Sequence, residues 1–364
     1  MKKFHFSPSE PPPFQMTGVS AWLRKNLFSS ALNTLITAVL IAITFIGTSS
    51  ISQWAVIDAD WIGSSRDACS REGACWVFIQ ARFEQFMFGF YPEDELWRPI
   101  LFLALLASLL VWLLVERIPH KKWALGVIML PFPVLTALLL YGGIPGLPVV
   151  DTHMWGGLLV TLIIALTGIL VSLPFGVVLA LGRRSEMPVL RSMSTVYIEF
   201  WRGVPLITVL FMASVMLPLF LSGGSEIDKL LRALIGVVLF NSAYMAEAIR
   251  GGLQSIPKGQ YEAADALGLG YWKKVRLVIL PQALKISIPS IVNTFIALLK
   301  DTSLVLIIGM FDVLGIAQSA NSDPAWLGFS TESYLFAALI FWLMCFSMSR
   351  YSLYLENRLH TGHR

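Results

Sequence analysis

The chain has 364 residues, 56% hydrophobic and only 14% charged, with 27 Lys and Arg against 23 Asp and Glu for a net charge of +4; mean hydropathy is +0.69. Ordinary soluble proteins carry about 25% charged residues, so the composition excludes a cytosolic enzyme, and no nucleic-acid partner is expected. Long apolar runs alternate with short charged clusters, the pattern of a chain that crosses a bilayer several times.

Residues 1–24 form a tail in which Lys2 and Lys3 precede a proline-rich stretch (Pro8, Pro11, Pro12, Pro13). The first apolar run, 27–47, reads as an uncleaved span, because it is long and no small-residue cleavage site follows it. A loop at about 48–98 carries Asp58, Asp60, Asp67, Glu72, Glu84, Glu93, Asp94 and Glu95 and is expected to fold over the membrane surface. Cys69 and Cys75 lie in it with five residues between them. That spacing permits a small disulfide loop without requiring one.

Seven further runs follow at about 99–115, 123–141, 155–181, 198–221, 231–250, 286–308 and 334–355. Each approaches the ~20 residues that a helix needs to span hydrocarbon, whereas barrel strands would alternate polar and apolar over about ten. The expected fold is an all-α polytopic membrane protein with about eight transmembrane helices. With the N-terminus inside, the inner segments hold nineteen of the 27 Lys and Arg residues and the outer segments six. This bias predicts that both termini are cytoplasmic. The cysteine-bearing loop then faces the oxidising side.

The segment between the sixth and seventh runs, about 251–285, is too amphipathic for a plain connector. Glu262 to Leu267 favours helix, Gly268 suits a helix end or a close backbone approach, and Trp272 to Leu280 is helical again with basic residues on one side. Pro281 is expected to stop that second helix. Two short helices with a sharp corner fit a groove of another protein; read on physics alone, they equally fit anionic headgroups of membrane lipid.

The residues narrow that choice. Glu262-Ala263-Ala264, then Gly268, then Val278-x-Leu280-Pro281 resembles the EAA loop of bacterial ABC importer permeases, with Val278 where that pattern usually has Ile. Ala246-Glu247-x-x-Arg250, Ile256-Pro-Lys-Gly-Gln260, Glu199-Phe-Trp-Arg202-Gly-Val-Pro205 and Leu299-Lys-Asp-Thr-Ser-Leu304 are similar to the polar amino-acid permease family, the histidine and glutamine permease group. The resemblance covers about 152–360. The preceding residues resemble the M-type permease of the general L-amino-acid transporter, which divides the chain into three N-terminal helices (25–150) and a five-helix permease core (151–364).

The resemblance implies a membrane subunit of an ABC importer that moves polar L-amino acids of broad specificity from periplasm to cytoplasm across the bacterial inner membrane. It implies a cytoplasmic ATPase dimer that binds ATP and Mg, a second permease chain, either a related one in a heterodimer or a second copy in a homodimer, and a periplasmic amino-acid-binding protein. Glu262, Ala263, Ala264, Gly268, Leu280 and Pro281 would then couple to the ATPase. The chain contains no Gly-x-x-x-x-Gly-Lys-Ser/Thr run to cradle phosphates, so no nucleotide or other cofactor is expected in it.

Ionisable residues inside spans cost roughly 2.5–3.5 kcal/mol at the bilayer centre and need a cavity, a partner or the interface. Glu199 and Arg202 have the spacing of an i,i+3 pair, as do Glu247 and Arg250. They read as structural or gating residues, with direct substrate contact as the alternative for the first pair; the second pair is either a plain interfacial salt bridge or a tie between the sixth span and the segment that follows it. Lys300 and Asp301 point about 100° apart and should not pair with each other. With Thr302, Ser303 and Asn293 they offer donors for a carboxylate and acceptors for an ammonium. Pairing with a neighbouring helix or a partner chain is the alternative. Asn241, Ser242 and Tyr244 rank second as substrate contacts, or else bond between helices.

Two other function classes fit the residues less well. An ion-gradient-driven secondary transporter calls for repeats between the halves, and none is convincing here. A membrane enzyme calls for clustered ligands or catalytic residues, but His5, His120, His153, His360 and His363 are scattered and no metal site is expected.

Overall fold

The computed structural model describes residues 18–216, 218 and 227–359. Lys2, Lys3, His5, the first prolines, the far end of the fifth apolar run, His360, His363 and Arg364 lie outside the described residues. The chain is an all-α polytopic membrane protein: among the described residues six helices are long and apolar enough to cross a bilayer, or eight spans if each of two bent pairs counts as one. Two compact units divide between Val77 and Phe78.

In the first unit, the Ser30 hydroxyl accepts from the Asn33 N–H at 3.2 Å and caps the first span. That helix runs Ala31–Ile57, ten residues past the expected 47. Ser49, Ser50, Ser52 and Gln53 interrupt the apolar run yet keep helical backbone, ending in a π turn at Gln53–Ile57. Beyond it, the Asp60 carboxylate accepts from the Ser70 N–H at 2.7 Å and from its hydroxyl at 2.9 Å. Cys69 and Cys75 form a disulfide with Cα atoms 5.6 Å apart.

In the second unit, the second span is Glu93–Leu114 and the third is bent by 44° between Lys121–Met129 and Pro131–Tyr141. Arg98 is fully buried, 2.8 Å from Glu95 and donating to the Pro148 carbonyl at 2.9 Å, so it pins the entrance of the second span to the loop after the third. The fourth span, Gly157–Arg183, packs against the sixth, Lys229–Gln254, and the seventh helical stretch runs Tyr271–Ile308 before the eighth, Ser330–Leu359.

Two expectations need correction. The fifth run is not one helix: Pro188–Gly203 and Leu206–Met216 meet at 98°. Pro205 has no N–H and holds Val204 extended, at φ −107° and ψ 134°, which breaks the helix there. Nor does Pro281 stop the second helix of the 251–285 segment. A π turn at Val275–Ile279 leads directly into the helix Leu280–Asp301, and Pro281 sits in that helix's first turn, where a missing N–H costs no hydrogen bond.

Small residues set the helix spacing. A Cβ on Gly176 would lie 2.7 Å from Met245 Cβ, so the fourth and sixth spans touch backbone to backbone there. At Gly252 it would meet the Ala283 carbonyl oxygen at 2.4 Å, and beside this contact the Ser287 hydroxyl donates to the Ala248 carbonyl at 3.1 Å. Leu179, Met245 and Ile249 of the fourth and sixth spans bury themselves around these two contacts with Leu253, Ile279 and Ala283 and so fasten the two ends of the 251–285 segment.

Candidate functional site

The sixth span ends in a charge cluster. Glu247, with 22% of its side chain exposed, receives Arg250 Nε at 2.8 Å from its own helix. From the fourth span, Arg183 places one nitrogen 3.3 Å from Glu247 and the other 2.8 Å from Glu199. Arg202 stands 3.9 Å from Glu247, and its guanidinium lies 5.7 Å from the Tyr244 ring centroid. Three arginines thus converge on one carboxylate that links three helices.

The expected Glu199–Arg202 pair is replaced by this arrangement. The break at Pro205 lays the Pro188–Gly203 helix beside the ends of its neighbours, and both residues find better partners on other helices than on their own. The Glu247–Arg250 pair is present. Sequence reasoning missed Arg183, which it counted only as a topology signal; its position in the last turn of an apolar run, opposite two intramembrane acids, was the available clue.

Next to this cluster the 251–285 segment folds as a helix, Lys258–Ala266, a corner, and a second helix beginning at Tyr271. The corner is a Schellman turn: the Gly268 N–H donates to the Asp265 carbonyl at 2.9 Å and the Leu269 N–H to the Ala264 carbonyl at 3.2 Å. Gly268 takes φ +69°, in the left-handed region, and beyond its own stretch of backbone and its chain neighbours no described atom lies within 4 Å of where its Cβ would be. Lys274 pairs with Asp265 at 2.6 Å across the corner, and Gln282 donates to Gln260 at 3.0 Å.

The first helix is tied down on one side only. Ala264 is buried, while Glu262 and Ala263 are exposed. Tyr261 receives Arg184 at 3.1 Å through its hydroxyl, with the guanidinium 5.7 Å from its ring centroid; Arg184 also donates to the Leu253 carbonyl at 2.6 Å. Tyr261, next to Glu262, was not singled out by the sequence. The outer side presents Leu267 at 78% and Trp272 at 74% exposure, an unusual amount of bare apolar surface for a polar corner. Leu280 and Pro281 lie on the return helix and not in the corner itself.

Of the residues expected on a substrate path, Lys300 and Asn293 are exposed in this chain and Asp301 is half-buried. No ion pair joins Lys300 to Asp301 among the described residues, and directly after Asp301 the helix tightens to a 3-10 turn, Thr302–Ile308. The hydroxyls of Thr302 and Ser303 donate to the Leu299 and Lys300 carbonyls at 2.8 and 2.9 Å. Asn241 donates to the Val237 carbonyl at 3.0 Å and Ser242 to the Val238 carbonyl at 2.6 Å. Among the described residues these last two therefore bond within their own helix and not between helices, the usual resort of short polar side chains in an apolar helix.

Just past the seventh stretch, Phe311 and Asp312 form parallel bridges with Gly156 and Gly157. Asp312 is fully buried and caps the next helix by accepting from the Gly315 N–H at 2.8 Å. Burial pushes its carboxyl up to about 6, against backbone N–H groups that favour the charge.

Residues 172–361 match the family described as binding-protein-dependent transport system inner membrane components. The chain is 55% identical over 360 residues to the inner membrane amino-acid ABC transporter permease protein YhdY of Escherichia coli, covering 98% of this chain and 97% of that one. It is 42% identical to the glutamate/glutamine/aspartate/asparagine transport system permease protein BztC of Rhodobacter capsulatus, covering 97% and 96%. Among solved structures, an amino acid ABC transporter crystallised with histidines is similar at 31% identity and a TM-score of 0.50, over 56% of this chain and 92% of that one.

Proposed function

The chain belongs to the family of binding-protein-dependent transport system inner membrane components, and from that premise we propose how it works and what it carries. It is a multi-pass permease subunit of an amino-acid ABC importer in the bacterial inner membrane, and not itself an enzyme: ATP hydrolysis belongs to a separate subunit, and a binding protein presents the substrate. The ion-gradient alternative has no support. On our reading the cargo is polar L-amino acids, in keeping with the acidic amino acids and their amides named for BztC.

The observation that carries the mechanism is the half-anchored corner at 258–274. Its inner side is fastened to the fourth span through Tyr261 and Arg184, and its outer side leaves Glu262, Leu267 and Trp272 for a second protein. We read this corner as the coupling element: the ATPase dimer, loaded with ATP and Mg, grips the outer side, and its closure displaces the Lys258–Ala266 helix. Ala263 and Gly268 allow close approach, and Leu280 and Pro281 carry the movement into the seventh helix. Glu199, Arg202, Glu247 and Arg250, with Arg183, form the joint that keeps the fourth, fifth and sixth spans together while they rock.

The orientation that suits this reading has both termini in the cytoplasm, as the Lys and Arg bias also favours. Residues 151–364 act as the permease core, 25–150 as three added helices, and a related second permease completes a heterodimeric pore. Lys300 and Asp301, with Thr302, Ser303, Asn241 and Asn293, line the path and receive the two ends of an amino-acid zwitterion. Amino-acid uptake by cells expressing the complex tests the energy source: collapse of the membrane potential with ATP held constant leaves uptake in place. Loss of uptake under those conditions would contradict direct ATP coupling.

A further inference from the structure

Between the end of the fourth span and the Pro188–Gly203 helix lies an open cavity of about 710 Å3, whose walls include Arg183, Arg184, Arg191, Arg250, Ser192 and Thr195. No carboxylate lines it. Glu199 and Glu247 answer Arg183 and Arg250, but among the described residues Arg184 is met by the Leu253 carbonyl and by the hydroxyl and ring of Tyr261, all neutral. The Arg191 guanidinium has no hydrogen-bond or ion-pair partner among the described residues. Positive charge is therefore gathered around an open cavity with too little anionic charge to balance it, an arrangement that attracts an anion.

The cavity is also asymmetric. One wall residue, Val196, belongs to a stripe of exposed apolar side chains on the same helix, with Val189, Met193 and Phe200 at 69%, 65% and 59% exposure. Their spacing puts them on one helical face, so the arginine-lined space borders directly on apolar surface. Arginine forks bind phosphate oxygens in pairs of parallel hydrogen bonds, which makes phosphate a better fit than a spherical anion.

We propose that this cavity binds a phosphate-bearing anion. The headgroup of an anionic phospholipid would place its phosphate among the arginines and its chains along the Val189–Phe200 stripe; free phosphate would use the arginines alone. The site shares Arg183, Arg184 and Arg250 with the joint and the corner's anchor, but the proposal is argued from the cavity and its charges and not from the transport reading.

The test uses the full chain copurified with its ATPase and stripped of lipid by detergent exchange. Dioleoylphosphatidylglycerol and dioleoylphosphatidylcholine are titrated with native mass spectrometry as the readout, and inorganic phosphate with phosphorus NMR. Saturable binding is expected, weakened about tenfold by Arg191→Gln and lost in Ser192→Asp, which sets a negative charge in the wall. Preference for phosphatidylglycerol assigns the lipid as source, and binding of phosphate alone assigns the free ion. Both residues are exposed, so retained wild-type elution and melting establish that a loss is local. No saturable binding of any probe, binding equal in wild type and both variants, or binding to the chain only after the ATPase is removed would overturn the proposal.

Discussion

Arg183 reaches Glu247 across the interface between the fourth and sixth spans at 3.3 Å, and by the same guanidinium it holds Glu199 of the fifth at 2.8 Å. An arginine at the end of one helix thus controls the distance between two others. Glu247 in turn faces Arg183, Arg202 and Arg250, so neutralising it leaves three cations together without their shared counter-charge.

Glu247→Gln is therefore expected to cost about 1–3 kcal/mol of stability, moderated by the side chain's partial exposure, and to reduce uptake more than assembly. Thermal melting in detergent and transport assays check the two parts. Wild-type melting together with wild-type uptake would show that the joint carries nothing.

Gly268→Ala places a Cβ at φ +69°, a conformation that favours glycine by about 1 kcal/mol. The corner should loosen locally: amide exchange at Gly268 and Leu269 quickens while the spans keep their protection. Unchanged exchange at these two amides would contradict the Schellman description.

Asp312 carries a pH dependence whose sign follows from its burial. Its pKa is raised from 3.8 to about 6 in the folded chain, so the folded state binds the proton more tightly than the unfolded one. Stability should fall as pH rises from about 4 to 6 and stay reduced above that. The full cost is about 3 kcal/mol on the scale of 1.36 kcal/mol per unit. Asp312→Asn keeps an acceptor for the Gly315 N–H and removes the slope, as melting temperatures across this pH range would register; an equal slope in the variant would assign it elsewhere.

Much of this architecture could be read from the residues because bilayers impose simple rules. Run length gave helices, and the spacing from Glu262 through Gly268 to Pro281 located the corner. What escaped was tertiary. Arg183 and Tyr261 gain their importance from helices far away in sequence, and the Pro205 break turned the Glu199–Arg202 spacing into contacts with Arg183 and Glu247. Pro281 misled for a local reason: periodicity does not reveal a π turn, and Val275–Ile279 supplies one just where the proline would otherwise end the helix.

Lys300→Ala and Asp301→Ala separate the path reading from a packing role. Each is expected to abolish uptake while the complex still copurifies intact and its melting shifts by less than about 1 kcal/mol. Retained transport by both variants would remove these residues from the path.

In this mechanism a separate ATPase grips the corner at 258–274. The direct measurement is a mild-detergent pull-down of the tagged chain from its native membrane, wild type beside Gly268→Asp, with bound proteins identified by mass spectrometry. Wild type is expected to bring down an ATPase and a second permease, and Gly268→Asp to keep the permease and lose the ATPase. Equal recovery of the ATPase with both chains, or its absence from a folded wild-type preparation, would contradict it.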